Sequence, residues 1–240
     1  MEIIFFKITF AIYLLSGCLF FARKRWVFLP ILGLVFHITG IILYSLKAGK
    51  PPFASLYESI LFFSLLIILF FLLFKLWEAG GYIFLLVSIS LFYIVFSPSS
   101  PQPLMPALRS FWLPIHVALC FLSYTFFILS GASGLGFLIR KKEPLFKTIL
   151  SFVKWGFILL TLGIITGSIW AYDAWGRYWG WDPKEVWALI TWLYYSLFFH
   201  SRLMGASKKL LSYLAIIGIF VILFTFLGVG FLFSGLHSYF

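Results

Sequence analysis

Apolar residues run along the chain in long blocks separated by short polar stretches. A membrane-spanning helix needs about 20 predominantly apolar residues, and eight blocks meet or approach that length. They cover residues 3–21, 27–46, 58–76, 81–97, 111–139, 150–171, 183–201 and 210–233. The polar stretches are too short to form a soluble domain. The pattern therefore predicts an all-α, polytopic integral membrane protein with about eight transmembrane helices. It forms a single membrane domain, 1–240, whose N-terminal helices occupy 1–110.

Composition agrees with the block pattern. The chain is 63% hydrophobic and 10% charged, whereas a soluble domain is about 25% charged. A soluble fold of this size has too little interior for that much apolar surface. The net charge of +11 would suggest nucleic acid in a soluble protein. Here most basic residues flank apolar blocks, so they indicate topology and contact with anionic lipid, and no nucleic-acid partner is predicted.

Lysine and arginine positions predict the orientation. If the N-terminus lies outside, six of the 18 basic residues fall on the outer side and the other twelve on the inner side. The six are Lys7, Lys47, Lys50, Arg109, Arg177 and Lys184. The positive-inside rule then places both termini outside. The two cysteines, Cys18 and Cys120, both lie in apolar blocks with no CxxC spacing, so neither a disulfide nor a zinc site is predicted.

Aromatic and charged residues gather in one stretch, WGRYWGWDPKE at 175–185. An aromatic belt at the membrane surface accounts for two or three tryptophans, but six of the ten lie between 170 and 192. Trp175 and Trp179 are four residues apart, which predicts a short amphipathic helix lying on the outer membrane surface. The last four residues, DPKE, predict a capping box in which Asp182 caps the next helix.

Two histidines fall beside this stretch whichever way the chain is oriented. His116 begins the fifth block and His237 follows the eighth, so four crossings place both on the face that carries residues 175–185. One interpretation of each is a neutral imidazole hydrogen-bonded to a neighbouring helix. As a pair, they are also suited to hold haem iron from both sides. Tryptophan faces can then stack on the macrocycle, and Arg177 or Lys184 can pair with its propionates.

The other two histidines lie in other parts of the chain. His200 ends the seventh block on the opposite side, and His37 lies near the middle of the second. An ionisable residue within a span is a candidate functional site, but these two differ in depth by roughly 10 Å at 1.5 Å per residue. A histidine of a partner subunit is an alternative second ligand for either. Separately, Gly163 and Gly167 form a GxxxG pair that lets the sixth helix pack closely on a neighbour.

The segment WGRYWGWDPKEVWALITWLYYSLFFHSRL resembles the tryptophan-rich WWD signature of haem-handling membrane proteins. Trp175, Gly176, Trp179, Trp181 and Asp182 match its pattern W-G-x-x-W-x-W-D. The continuation P-K-E-x-W-A-x-I-T-W, GLHSY at 235–239 and SLYES at 55–59 are similar to the CcsA (ResC) branch of cytochrome c biogenesis, the system II pathway. The resemblance is densest from 112 to 239, although the chain is shorter than many family members.

The resemblance implies a haem-handling core at 111–240, with the WWD segment at 170–187. Family members carry haem b outward and attach it to apocytochrome c at a CxxCH motif, as a holocytochrome c synthase with a CcsB (ResB)-like membrane partner. His116 and His237 then fall on the external haem ligands and His200 on a membrane-embedded one. The signature residues that would contact the haem are Trp175, Arg177, Trp179, Trp181 and Asp182. The implied location is the plasma membrane, or the thylakoid membrane in a plastid, with the functional face outside.

Besides a haem-free scaffold or small-molecule carrier, two alternatives remain open from the sequence. One is a b-type cytochrome subunit that transfers electrons, which would require paired histidines at matched depth on facing helices. The other is a haem-delivery protein of the system I pathway, similar to CcmC, which shares the tryptophan signature but lacks the P-K-E continuation and the equivalent of His200. The role of His37 stays open in every case.

Overall fold

The computed structural model describes residues 2–52, 55–97 and 108–235, and in these ranges the secondary structure is helical. The helices are α1 (Glu2–Phe21), α2 (Phe28–Ala48), α3 (Leu56–Leu73), α4 (Gly80–Phe96), α5 (Trp112–Arg140), α6 (Glu143–Trp175), α7 (Pro183–Leu203), α8 (Lys208–Leu223) and α9 (Val229–Leu232). A 3₁₀ turn, Trp77–Ala79, precedes α4, and a π-helical turn, Phe224–Gly228, joins α8 to α9. The all-helical prediction is confirmed.

Seven helical segments in the described ranges are long and apolar enough to cross a membrane. They correspond to seven of the eight predicted spans. The remaining predicted span, 183–201, is helix α7, with 21 residues, and it is not among the seven. Both ends of α7 are polar, since Lys184 and Glu185 lie in its first turn and His200 and Arg202 in its last. The protein is therefore an integral membrane protein with multiple spanning helices.

Helices α1 to α4 lie in the first of two compact units, Met1–Leu104. The rings of Phe20, Phe71 and Phe84 pack against one another at its centre, with centroids 5.0 to 5.6 Å apart. A buried ion pair closes one end, where Lys50 Nζ lies 3.0 Å from a carboxylate oxygen of Glu58. The Glu58 side chain is fully buried. A buried carboxylate is stable only where a cation and hydrogen-bond donors surround it, as they do here.

Helices α5 to α9 lie in the second unit, Met105–Phe240. Long helices α5 and α6 form an antiparallel hairpin, and serine hydroxyls of α5 donate hydrogen bonds to α6 carbonyls. Ser123 donates to Gly156 at 2.7 Å and Ser130 to Ile149 at 3.3 Å. Such bonds join helices inside a membrane, where apolar burial provides little attraction between them. Tyr195 of α7 stacks on Phe127 of α5, with ring centroids 3.5 Å apart, and completes the core.

Helix α6 is longer than the apolar block predicts. It begins at Glu143 rather than at residue 150, and its 33 residues extend about 50 Å at 1.5 Å per residue. A bilayer hydrocarbon core is about 30 Å thick, so α6 projects beyond it. The sequence prediction began late because Lys147 interrupts the apolar run, although a lysine does not interrupt a helix.

Candidate functional site

His116 lies in the first two turns of α5 and faces α6. Its Nδ1 is 2.8 Å from the carbonyl oxygen of Gly163. A carbonyl only accepts hydrogen bonds, so Nδ1 carries the proton, and the lone pair of the neutral ring is on Nε2. The ring also lies nearly parallel to that of Trp170, at 14° and 6.0 Å between centroids. This backbone carbonyl therefore selects the tautomer that a metal-ligating histidine needs.

The two glycines of the α6 GxxxG pair leave room for side chains of α5, including His116. A Cβ atom on Gly167 would lie 2.6 Å from both Cε1 and Nδ1 of the imidazole, and one on Gly163 would lie 2.8 Å from Cys120 Sγ. Real Cβ atoms do not approach other atoms that closely. The predicted close packing of α6 on a neighbour is confirmed, and the neighbouring residue is the candidate haem ligand itself. Cys120 and Cys18 are free thiols, as expected.

Trp170 links His116 to the start of the tryptophan segment, defined here as residues 175–182. Trp170 is 1% exposed, and its ring lies 4.8 Å from that of Trp175. Further along, Trp179 and Trp181 pack edge to face at 5.8 Å. Trp181 is 70% exposed. The tryptophan segment therefore has an inner part that packs against the His116 end of α5 and α6, and an exposed tip.

The predicted amphipathic helix over Trp175 and Trp179 is wrong. Helix α6 ends at Trp175, and Gly176 then adopts a left-handed conformation with φ +73°. Glycine tolerates this conformation and commonly terminates helices in it. Residues 176–182 are not helical, so Trp179 does not share a helical face with Trp175. Arg177 is exposed, and its guanidinium lies over Gly180, where a Cβ atom would be 2.8 Å from Arg177 Nε.

The predicted capping box at the start of α7 is confirmed. Asp182 accepts a hydrogen bond from the Lys184 N–H at 3.0 Å. In return, Glu185 Oε2 accepts from the backbone N–H groups of Asp182, at 3.1 Å, and Gly180, at 2.7 Å. The carboxylate of Glu185 thus satisfies donors in the tryptophan segment as well as at the helix end. These bonds fix the exit of the segment into α7.

Several chain ends meet around the tryptophan segment, and they are called here the tryptophan end of the second unit. The start of α5 meets the end of α6 through His116 and Trp170. The start of α7 meets the chain after α9, since a Cβ atom on Gly235 would lie 2.4 Å from Asp182 Oδ2. The opposite end carries the exposed ion pair between Lys208 and Glu143, the first residues of α8 and α6. The described residues therefore follow the arrangement that parity predicts.

The remaining histidines are placed differently. His200 is exposed on α7, and its Nδ1 is 2.9 Å from the Ser196 carbonyl. It is 17 residues after Pro183, or about 26 Å along the helix, so it lies far from the tryptophan end. His37, in the first unit, is fully buried between the rings of Phe6 and Tyr13. His237 lies outside the described residues.

Three contacts of this site escaped the sequence reasoning. Trp170 was not distinguished from the other five tryptophans of its region. Gly163 was not predicted to contact His116, and Gly235 was not predicted to contact Asp182. Gly163, Gly167 and Trp170 are spaced i, i+4 and i+7, which places them on one face of a helix. That spacing is a signal the sequence does contain. The approach of Gly235 to Asp182 joins residues 53 positions apart and leaves no local pattern.

Comparison with known proteins identifies the family. The family model described as "Cytochrome C assembly protein" matches residues 28–237. The chain is 37% identical to the cytochrome c biogenesis protein CcsA of Guillardia theta over 238 residues, which covers 81% of this chain and 78% of that protein. It is 36% identical to CcsA of Chlamydomonas reinhardtii, over 80% of this chain and 62% of that one. Protein NrfI of Wolinella succinogenes is 39% identical over 85% of this chain, but only 25% of NrfI is matched.

A solved structure shares the fold. The cytochrome c haem lyase CcmF superposes with a TM-score of 0.76 at 18% identity, covering 95% of this chain and 46% of that chain. At that identity the likeness concerns the fold alone. The sequence relatives carry the assignment, and they name the family that the sequence resembles. The chain belongs to the cytochrome c assembly protein family, together with the CcsA proteins.

Proposed function

We propose that this cytochrome c assembly protein holds haem b at the tryptophan end of its second unit, with His116 and His237 as axial ligands of the iron. In this proposal the tryptophan segment supports the macrocycle, and the haem is presented there to apocytochrome c. The observation that carries the proposal is the environment of His116. Its Nδ1–H is engaged by the Gly163 carbonyl, which leaves the basic lone pair on Nε2.

The surroundings of His116 favour a ligand role over a purely structural one. A structural imidazole in a membrane core satisfies its polar atoms and then packs against whatever is near. Here Gly167 of α6 leaves room for the ring, and Trp170 lies nearly parallel to it. The result is an imidazole whose orientation and tautomer are both fixed. Fixing both before binding is how proteins prepare a metal ligand.

The chemistry that the proposal requires is positioning. In thioether formation, the S–H of each CxxCH cysteine adds across a haem vinyl group, so that sulfur bonds one carbon and hydrogen the other. The addition has no leaving group and no net oxidant. Cys18 and Cys120 lie outside the tryptophan segment, and the reacting thiols come from the apoprotein. The protein then contributes by holding the vinyl edge toward the thiols, which makes the reaction effectively intramolecular.

The wider arrangement extends the proposal. His200, about 26 Å from the tryptophan end along α7, is assigned to a second haem position on the inner side, from which haem moves outward. Its exposure suits a ligand whose opposite partner belongs to another subunit. We assign that subunit to a CcsB (ResB)-like membrane protein, with which this chain forms a holocytochrome c synthase. The tryptophan end is assigned to the outer face of the plasma membrane, or of the thylakoid membrane in a plastid.

The proposal is tested with the double variant His116→Ala/His237→Ala. The haem held at the tryptophan end, with its low-spin, bis-histidine spectrum, should fall by about tenfold in the purified protein. His37→Gln, which changes a histidine in the first unit, is the matched control and should keep the parent spectrum and haem content. If the double variant retains the haem content and spectrum of the parent, the ligand assignment is wrong.

An electron-transferring b-type cytochrome fits the described residues less well. Such a protein needs two histidines at matched depth facing one haem, and the iron brings their ligating nitrogens to about 4 Å from each other. His116 lies at the tryptophan end, whereas His200 lies near the opposite end of α7, so these two cannot share one haem. Rapid, reversible reduction of the bound haem by a quinol would favour the cytochrome nevertheless. A protein that shows no Soret band with excess haem would favour a haem-free scaffold.

A further inference from the structure

The backbone carbonyl of Gly163 in α6 accepts hydrogen bonds from two side chains. Its oxygen is 2.8 Å from Nδ1 of His116 and 3.1 Å from the hydroxyl oxygen of Thr166. Gly163 also lies within α6, where each carbonyl accepts from the N–H four residues later, which here belongs to Gly167. At least three donors therefore converge on an oxygen that has two lone pairs. The hydroxyl of Thr166 thus competes with the imidazole of His116 for the same acceptor.

The hydroxyl of Thr166 can turn between two carbonyls. Its oxygen lies 2.9 Å from the carbonyl oxygen of Leu162 and 3.1 Å from that of Gly163, and it has one proton to share between them. Threonine hydroxyls in helices commonly bond to a carbonyl of the preceding turn, so the Leu162 contact alone is an ordinary feature of a membrane helix. The Gly163 contact differs, because the same oxygen also accepts from a histidine of α5.

A further neighbour of Nδ1, Cys120, is a weaker partner for its proton. Cys120 Sγ lies 3.7 Å from Nδ1 of His116, and a thiol sulfur is a weak acceptor. The sulfur also packs on Gly163, where a Cβ atom would lie 2.8 Å from it. The strength of the hydrogen bond from Nδ1 therefore depends mainly on how far the Gly163 carbonyl is engaged by its other donors.

The strength of that hydrogen bond affects the opposite ring nitrogen, Nε2. A metal-ligating histidine becomes more basic when its other N–H donates to an acceptor. A more basic ligand stabilises ferric iron more than ferrous iron, because the ferric ion carries one more positive charge, and the reduction potential of the haem then falls. A hydroxyl that weakens the hydrogen bond from Nδ1 has the opposite effect.

We propose that Thr166 is a positioning residue for His116, which acts through the carbonyl of Gly163 and raises the reduction potential of the haem that His116 binds. The hydroxyl does so without touching the haem, because it weakens the hydrogen bond that makes His116 a strong donor. This inference deepens the proposed function and rests on it, since it takes His116 to be an iron ligand.

Two variants of Thr166 separate the effect of the hydroxyl from that of side-chain size. Thr166→Val replaces the hydroxyl with a methyl group of similar size, whereas Thr166→Ser keeps the hydroxyl. Thr148→Val is the matched control, because Thr148 Oγ1 donates to the carbonyl of Pro144 at 3.0 Å near the opposite end of the same helix. This control loses the same kind of hydrogen bond without changing the surroundings of Gly163.

Nuclear magnetic resonance of the haem-free protein tests the shared carbonyl itself. In detergent-solubilised protein with isotope-labelled histidine, the Nδ1 proton resonance of His116 is assigned by its loss in His116→Ala. It should move downfield in Thr166→Val, which is the direction of a stronger hydrogen bond. In Thr166→Ser and Thr148→Val it should stay at the parent position. An unchanged resonance in Thr166→Val overturns the proposal.

A redox titration of the haem-loaded protein tests the consequence for the iron. Purified protein is loaded with added haem b in a His200→Ala background, so that haem at the inner position does not contribute. Thr166→Val should shift the ratio of ferric to ferrous haem at a fixed potential by about threefold toward the ferric form, as expected for part of one hydrogen bond. Thr166→Ser and Thr148→Val should match the parent.

The same preparation distinguishes failure of this inference from failure of the proposed function. If His116→Ala loses the low-spin spectrum but Thr166→Val keeps the parent potential, the inference fails and the ligand assignment stands. If His116→Ala keeps the low-spin spectrum, the ligand assignment fails, whatever the variants of Thr166 do. A potential that rises in Thr166→Val would also contradict the inference, because the hydroxyl would then strengthen the donor.

Discussion

Gly167 is the residue at which the packing of the second unit and its proposed chemistry coincide. Its missing side chain is the space that the His116 ring occupies, with only 2.6 Å between a notional Cβ atom and the imidazole. Overpacking at such a contact forces a side chain out of its rotamer and typically costs about 1–3 kcal/mol. At this position the displaced side chain is the proposed ligand. A change of one methyl group therefore acts on binding as well as on stability.

Gly167→Ala should lower haem binding at the tryptophan end by about tenfold or more, because the displaced imidazole no longer meets the iron at the required geometry. Gly156→Ala is the matched control. Gly156 lies on the same helix as Gly167 but away from His116, and a Cβ atom on it would lie 2.7 Å from Phe127. Both variants should lose similar thermal stability. Haem titration by absorbance separates them, and equal losses of binding in the two would contradict a specific role for Gly167.

Two of the lysine–carboxylate pairs show how burial decides how much an ion pair contributes to stability. Lys208 and Glu143 approach to 2.7 Å but are each about half exposed, whereas Lys50 and Glu58 approach to 3.0 Å with 10% and 0% exposure. Lys50→Met should destabilise the protein by about 3 kcal/mol, because it removes the cation from a buried carboxylate. Lys208→Met should cost less than about 1 kcal/mol. Thermal unfolding in detergent measures both, and the reverse order would contradict the burial argument.

At the scale of elements, the apolar blocks predict the helices well and their ends poorly. Hydropathy begins α6 at residue 150 because Lys147 is polar, but a lysine has good helix propensity, and the helix begins at Glu143. The capping box of α7 was predictable because a few side chains that are close together in sequence are enough to form it. The helix over Trp175 and Trp179 was predicted wrongly because Gly176 adopts a left-handed conformation there.

Candidate site residues divide in the same way between local and long-range information. Side-chain spacing identifies His116, Asp182 and the tryptophan segment as unusual, and the family resemblance gives them a chemistry. Neither the spacing nor the resemblance predicts that Gly163 supplies the carbonyl for His116 or that Gly235 lies against Asp182. These contacts depend on the rotation and depth of packed helices, and a glycine carries no side-chain signal of what will occupy its place.

The π-helical turn Phe224–Gly228 sets the direction of the chain toward Gly235. A π turn holds one residue more than an α turn, so the chain after the turn is rotated by about 100° relative to a regular helix. Thr225 within it contacts Thr191 of α7, oxygen to oxygen, at 2.9 Å. The turn therefore determines which residues after α8 face α7.

At the scale of the whole molecule, the function depends on which side of the membrane the tryptophan end faces. The distribution of lysine and arginine predicts that it faces outward, because 12 of the 18 basic residues then lie inside. The Arg202 and Lys208 region around the α7–α8 loop would be inside. The tryptophan segment and the α7–α8 loop lie on opposite sides only if α7 crosses the membrane. If α7 does not cross, both lie on the same side. The orientation and the status of α7 are therefore tested together.

Single cysteines placed at both ends of α7 make this test, in a background with Cys18 and Cys120 replaced by alanine. Tyr178 is 57% exposed in the tryptophan segment and Met204 is 88% exposed after α7, so a thiol at either position is accessible to reagent. In intact spheroplasts of an expressing bacterium, a membrane-impermeant maleimide should label Tyr178→Cys and spare Met204→Cys until the membrane is opened. The opposite pattern would reverse the orientation, and labelling of both without opening would mean that α7 does not cross. The proposed function requires that Tyr178→Cys is labelled before the membrane is opened, because an apocytochrome outside the membrane would have to reach a haem held at His116.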